Sequence, residues 1–164
     1  MKNYNVDKIK AQFPALNRMV WDKPLVYLDS AASMQKPQKV LDAIQSSYSF
    51  NYSNVHRGLH KLSEEATSDY EGARKKIANF INCSENEVIF TSGATAAINL
   101  IAYSWGLKNL LPGDEIIITI AEHHANIVPW QIIAQQKGVK IIAANIIPDE
   151  DFNSEIIKSL VTEN

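Results

Sequence analysis

Short apolar runs alternate with helical patterns in the second half of the chain, and this alternation constrains the fold most. Strands are predicted at 88–90, 115–120 and 139–147. Helices are predicted between them at 94–110 and 126–137. The runs are apolar on both faces, as parallel strands sandwiched between helices must be. This order predicts an α/β fold with a doubly wound, mostly parallel sheet flanked by helices.

The first half of the chain is expected to be mainly helical. Residues 6–13 predict a short helix and 26–28 a brief strand, and Pro37 suits the first turn of a second helix. Residues 49–61 lack periodicity and indicate a loop. A long amphipathic helix is predicted from Ser63 onward, because apolar residues then recur every three or four positions.

The composition indicates an ordinary globular protein. The 164 residues are 46% hydrophobic and 21% charged, with a formal net charge of −2. This balance does not favour nucleic acid or an anionic membrane as a partner. No run approaches the roughly 18 apolar residues of a membrane helix, and the first residues contain no apolar signal core. The lone Cys83 favours a reducing compartment, so we expect a cytoplasmic protein with no membrane partner.

The predicted strand at 88–90 runs directly into a turn of small and hydroxyl residues. The predicted helix that follows opens with the residues Thr91, Ser92, Gly93, Ala94 and Thr95. A glycine there allows close approach of the backbone, and the first helical N–H groups have no intrahelical partner. Such a helix start suits a phosphate. The alternative is an ordinary helix cap, in which Ser or Thr serves without any ligand.

A second strand end carries two histidines. His123 and His124 follow the apolar run at 115–120. An imidazole there could stack on a flat heteroaromatic ring and carry protons near neutral pH. Alternatively, the pair could be a polar cap on the strand. We do not expect a metal site, because adjacent side chains diverge, the His56–His60 pair lies in a loop-like segment, and there is no second cysteine.

Five stretches of the chain are characteristic when taken together. They are YLDSAAS at 27–33, KP at 36–37, VHRGLHKLSEEAT at 55–67, FTSGATAAIN at 90–99 and EHHANIVPW at 122–130. In this order and spacing they closely resemble cysteine desulfurases of the Suf type. Those are pyridoxal 5'-phosphate (PLP) enzymes of aminotransferase class V and fold type I. The resemblance implies that 21–164 is a partial PLP-binding large domain, preceded by an N-terminal helical segment at 1–20.

The resemblance also implies roles for individual residues. His123 matches the catalytic histidine that stacks on the PLP ring and assists proton transfer, whereas His124 matches a structural position. The cofactor-binding set is completed by the phosphate turn Gly93, Ala94 and Thr95. The substrate-binding set is Ala31, Ala32, His56 and Arg57, some of them reached across a dimer. Arg57 could alternatively anchor its loop by salt bridges.

The function implied is conversion of L-cysteine to L-alanine, with sulfur passed to an enzyme cysteine as a persulfide for iron–sulfur cluster assembly. A homodimer and a sulfur-acceptor protein of the Suf system are the implied partners. Two alternatives stay open. One is a selenocysteine lyase or another class V PLP lyase. The other is a non-catalytic fragment that dimerises with a full-length desulfurase.

The chain departs from the family pattern in three respects. Ala94 stands where many Suf-type relatives carry Thr, and Ala96 stands where an acidic residue is common. The Schiff-base lysine, the aspartate that pairs with the pyridine nitrogen, the substrate-carboxylate arginine and the nucleophilic cysteine all lie beyond residue 164 in the family pattern. Cys83 is not a substitute for that cysteine. We therefore expect the 164-residue chain alone to bind PLP weakly and to be inactive.

Overall fold

The computed structural model describes residues 4–146 and 154–163 and divides into two compact units, one ending at Val88 and one beginning at Ile89. The first unit contains the strands β1 (Met19–Val20) and β2 (Lys23–Pro24) and the helices α1 (Val6–Lys10), α2 (Gln38–Ser46) and α3 (Lys61–Ile81). The second contains α4 (Ala94–Ile101), α5 (Leu107–Asn109), β3 (Glu115–Thr119), α6 (Val128–Lys137), β4 (Lys140–Ala144) and α7 (Ser154–Leu160).

Helix α3 is the longest element of the first unit. It begins at Lys61, two residues before the predicted start, and ends at Ile81, where Asn82 takes the left-handed conformation with φ 59°. Asparagine tolerates that conformation better than most residues, so it closes the helix. Two α3 residues, Ser63 and Ala78, are almost fully buried. Cys83 follows this end as a half-buried free thiol.

The parallel pair β3–β4 is the centre of the second unit. Its register runs from Glu115 opposite Lys140 to Thr119 opposite Ala144. Helix α6 connects the two strands, as a parallel crossover requires. One apolar cluster holds the helices to this pair, and its buried members are Ala102, Leu110, Ile133 and Val139.

A π-helical turn at Ala102–Gly106 joins α4 to α5. This turn packs against α6, because a methyl group on Gly106 would lie 3.6 Å from Trp130, an ordinary van der Waals distance. The predicted helix at 94–110 is confirmed as one continuous helical segment over 94–109, and it contains one widened turn.

The α/β class and its parallel strand pairing are confirmed, with corrections to individual strands. The predicted strands at 26–28 and 88–90 are wrong, since neither segment belongs to a sheet among the described residues. A strand exists only with a hydrogen-bonded neighbour, and hydrophobic character alone does not supply one. Val26, Leu28 and Ile89 are instead 75%, 90% and 70% exposed.

Smaller differences concern boundaries. Helix α1 ends at Lys10 rather than at residue 13, because Pro14 disfavours helical geometry in the residue before it. Residue 147, the end of the last predicted strand, lies outside the described residues. Within the described ranges no helix has the length and apolar character needed to cross a bilayer. The predicted boundary at residue 20 stays a prediction.

Candidate functional site

The turn after β3 is held by a chain of side-chain hydrogen bonds centred on Glu122. Thr119 donates its hydroxyl to Glu122 Oε1 at 3.0 Å, and Asn126 donates its amide to Oε2 at 2.9 Å. Trp130 Nε1 in turn donates to Asn126 Oδ1 at 2.9 Å. The hydrogen bond from Asn126, and then that from Thr119, lowers the pKa of Glu122 below its ordinary value. Glu122 therefore ties the end of β3 to the start of α6 as an ionised carboxylate.

His123 lies inside this tied turn and is oriented by its own backbone. Its Nδ1 accepts a hydrogen bond from the N–H of Ala125 at 3.1 Å, which caps a short 3₁₀ turn at His124–Asn126. An imidazole nitrogen that accepts carries no proton, so the neutral ring of His123 holds its proton on Nε2. The side chain is exposed. The ring of His124 lies 6.3 Å away and nearly perpendicular, at 87°, so the two histidines present different faces.

Helix α4 begins at a turn that no side chain caps. Gly93 is the N-cap residue, with extended backbone, and as a glycine it has no side chain that could cap the first turn. The ordinary-cap alternative is therefore wrong for this helix. The N–H groups of Ala94, Thr95 and Ala96 lie in that first turn, where α-helical donors have no intrahelical partner. Space beside Gly93 is open, since an added Cβ would meet no atom within 4 Å.

The structure brings two of the predicted groups together in one unit. Helix α4 contacts the 3₁₀ turn that follows His123, so the Gly93–Thr95 turn and the histidine turn belong to neighbouring elements. Both Thr95 and His123 are exposed. An uncapped helix start combined with an oriented imidazole is an arrangement that could hold a phosphorylated aromatic ligand.

The remaining predicted residues lie in the first compact unit. Ala31 and Ala32 are exposed members of a turn in which Ala32 and Ser33 donate their N–H groups to Asp29 O at 3.2 and 3.0 Å. Arg57 is exposed and forms no ion pair within residues 4–146 and 154–163. The alternative role of Arg57, anchoring its loop by salt bridges, is therefore not supported within the described residues.

His56 is bound to helix α3 through both its backbone and its ring. Its N–H donates to Thr67 Oγ1 at 2.9 Å, and its Nε2 lies 2.8 Å from Glu71 Oε1. Its backbone is left-handed, with φ 69°. No local pattern in the sequence marks Glu71 as the partner of His56, because the two residues are 15 positions apart. Glu122 has a local signal that could have been used, because this acidic residue lies three positions after the end of β3 and directly before His123.

No group of three or more His, Cys, Asp or Glu side chains that could hold a metal occurs in the described part of the chain. The candidate site presents backbone donors, a hydroxyl and imidazoles. These are suited to an anion and an aromatic ring.

Comparisons with known proteins agree with this fold. The chain matches the aminotransferase class-V family over residues 26–164. It is 50% identical over 159 residues to a probable cysteine desulfurase of Vibrio cholerae, covering 96% of this chain and 39% of that protein. The chain thus spans about two fifths of the length of that curated relative.

Two solved structures are also similar. The apo cysteine desulfurase from Thermococcus onnurineus NA1 superposes with a TM-score of 0.84 at 29% identity, covering 97% of this chain and 38% of that one. The cysteine desulfurase CsdA from Escherichia coli has a TM-score of 0.76 at 38% identity, covering 97% of this chain and 39% of that one.

Proposed function

The chain belongs to the aminotransferase class-V family, and on that premise we propose that the protein containing it is a PLP-dependent cysteine desulfurase. The supporting observation is the pair formed by the uncapped start of α4 and the oriented imidazole of His123, on neighbouring elements. The proposed reaction converts L-cysteine to L-alanine and passes the sulfur to an enzyme cysteine as a persulfide.

The donors present fit PLP. Its phosphate requires several hydrogen-bond donors and a favourable dipole, and the first turn of α4 supplies backbone N–H groups with a positive helix end. Thr95 adds an exposed hydroxyl, and the open space beside Gly93 leaves the backbone accessible. His123 offers an exposed ring face for stacking. When bound, PLP supplies an electron sink for the amino-acid substrate.

Each proposed residue then has a defined task. Gly93, Ala94 and Thr95 hold the phosphate. His123 covers the aromatic ring and holds a transferable proton at Nε2, because Nδ1 is occupied by the N–H of Ala125. The substrate pocket is lined by Ala31, Ala32, His56 and Arg57. The exposed guanidinium of Arg57 adds positive charge there.

The finer parts of the proposal follow from the motifs. The HRGLH loop and the EHHANIVPW segment support a Suf-type enzyme over other class V members. We accordingly infer a cytoplasmic homodimer that delivers sulfur to a Suf acceptor protein for iron–sulfur cluster assembly.

The decisive assay measures alanine release by the complete gene product that contains these residues, with L-cysteine and L-selenocysteine compared as substrates. Preference for cysteine supports the proposal, and turnover of selenocysteine alone would replace it with a lyase. His123→Ala should lower cysteine turnover by about two to four orders of magnitude, the usual cost of losing a general acid–base group. His124→Ala is the matched control, and it should stay close to wild type.

A binding experiment tests the cofactor site in the 164-residue chain itself. A helix-terminal phosphate contact and a ring stack each contribute about 1 kcal/mol. Micromolar affinity requires about 8 kcal/mol. We therefore expect weak PLP binding and no cysteine turnover by this chain. A PLP absorbance that saturates at micromolar concentration and survives dialysis would contradict the expectation.

A further inference from the structure

Side chains on one face of helix α3 contact His56 or support those contacts. Thr67, Tyr70, Glu71 and Arg74 are spaced so that they lie on the same side of the helix. Thr67 and Glu71 hydrogen-bond to His56, and the Tyr70 ring meets its imidazole edge-on at 5.7 Å and 89°. Arg74 contacts both Glu71 and Tyr70. His56 is thus restrained at its backbone, at one ring nitrogen and by one perpendicular aromatic contact.

The backbone of His56 indicates why so many restraints are present. A left-handed conformation in a residue other than glycine costs roughly 1–3 kcal/mol and persists only where the surroundings enforce it. The surroundings here are well defined. Gly58 donates its N–H to Ser63 Oγ at 3.0 Å, and that hydroxyl donates to Asn54 O at 2.6 Å. The loop on both sides of His56 is therefore fastened to the buried Ser63.

Glu71 is itself held on both carboxylate oxygens. Oε1 faces His56 Nε2, and Oε2 accepts from Arg74 Nε at 2.9 Å. These hydrogen bonds, first that of His56 and then that of Arg74, lower the pKa of Glu71. Arg74 is in turn fixed by donating Nη1 to Val88 O and by lying 5.3 Å over the Tyr70 ring, with only 19% of its side chain exposed.

An ionised carboxylate accepts hydrogen bonds and donates none, so the proton between Glu71 and His56 belongs to Nε2. In the neutral imidazole the other nitrogen, Nδ1, is then an acceptor. His56 borders an open cleft of about 480 Å³ that is also lined by Gly58, Glu64, Thr67 and Ser68.

We infer that Glu71 and Arg74 are positioning residues that fix His56 as its Nε2–H tautomer, so that Nδ1 accepts a hydrogen bond from a donor group of the amino-acid substrate. The identity of the ligand rests on the proposed function, in which His56 lines the substrate pocket. The tautomer depends only on contacts within this chain. The two parts can therefore fail separately.

The tautomer is measured by ¹⁵N NMR of the imidazoles in the 164-residue chain, under conditions in which the His56 ring is neutral. The wild-type chain should show His56 with Nε2 protonated. Glu71→Ala should lower the ratio of Nε2–H to Nδ1–H forms roughly tenfold, the effect of one charge-assisted hydrogen bond. The control is Glu65→Gln, which removes the ion-paired glutamate 3.6 Å from Lys61 on the same helix and should leave the ratio unchanged. A wild-type Nδ1–H form, or equal populations, overturns the inference without any variant.

The role toward substrate is measured in the complete gene product. Glu71→Gln removes the charge but keeps the side-chain shape, and it should lower kcat/KM for cysteine about tenfold, mainly through KM, while PLP content stays constant. Arg74→Lys should give a smaller loss in the same direction, because the charge is retained. Equal kinetics for Glu71→Gln and Glu65→Gln would refute the positioning role. If the wild-type enzyme does not turn over cysteine, the proposed function fails, and the NMR result still decides the tautomer.

Discussion

The two histidine-bearing loops are built in opposite ways. The ring of His123 is held by the N–H of Ala125, two residues on, and Glu122 ties its turn through Thr119 and Asn126. The loop around His56 depends instead on helix α3, through contacts that span 11 and 15 positions of the sequence. One loop is therefore fixed by its own short segment, and the other is fixed only when a separate helix docks against it.

This contrast predicts how each loop responds to substitution. The His56 loop loses its contacts with helix α3 if a substitution prevents the loop from docking at any point along that helix. Changes near Ser63 should therefore disturb the whole His56 loop. A local turn loses only the hydrogen bond that is removed. The expected effects on stability therefore decrease from the His56 loop to the His123 turn.

The largest effect is expected for Gly58→Ala. The added Cβ would lie 2.4 Å from Ser63 Cβ and 2.5 Å from its Oγ, which is too close for any real contact. Undocking or repacking the loop should cost about 3 kcal/mol of unfolding free energy. Gly72→Ala is the matched control within α3, because its Cβ would meet nothing within 4 Å. It should stabilise the chain by about 0.5–1 kcal/mol, and urea denaturation distinguishes the two signs.

Ser63→Ala should have the next largest effect. The buried hydroxyl accepts from Gly58 N–H and donates to Asn54 O, and both partners would lose their hydrogen bond. The expected loss is about 2 kcal/mol. Ser68→Ala, at an exposed position on the same helix, should change stability by less than about 0.5 kcal/mol. Equal losses in the two variants would show that the loop is not fastened at Ser63.

The local turn gives a smaller, pH-dependent effect. The pKa of Glu122 is lowered in the folded chain from an ordinary value of 4.5, so its stabilisation is present above that value and is lost as pH falls through the folded pKa. Glu122→Gln should cost about 1 kcal/mol at neutral pH. The difference from wild type should shrink in acid. Denaturation midpoints across this range measure it, and a difference independent of pH would contradict the assignment.

The smallest expected effect is a difference in stability between two substitutions at His123. Asparagine can still accept the N–H of Ala125 and cap the 3₁₀ turn, whereas alanine cannot. His123→Ala should therefore be less stable than His123→Asn by about 0.5 kcal/mol. Thermal unfolding of both variants gives the comparison. If both variants weaken PLP binding equally while differing in stability, the ring and the cap have separate roles.

The same contrast explains which features the sequence could reveal. The order of elements around β3 and β4, and the helix at 94–109, follow from periodicities within short windows, and the structure confirms them. The predicted strands at 26–28 and 88–90 failed because a strand also needs a neighbour, which no local pattern reports. His123 was recognisable beside a strand end. The Glu71–Arg74 support of His56 was not, because nothing local links residues so far apart in sequence.

The widened turn at Ala102–Gly106 has a consequence for the site at the other end of its helix. A π turn contains one residue more than an α turn, so it offsets the segments on either side by about 100°. Leu110, which packs against Ile133, therefore lies about 100° around the helix axis from the direction that an uninterrupted α-helix starting at Gly93 would give it. Deleting one residue from this turn would restore an ordinary α-helix and would either rotate Leu110 away from Ile133 or turn the amide groups near Thr95, so the apolar cluster and the start of α4 depend on the same extra residue.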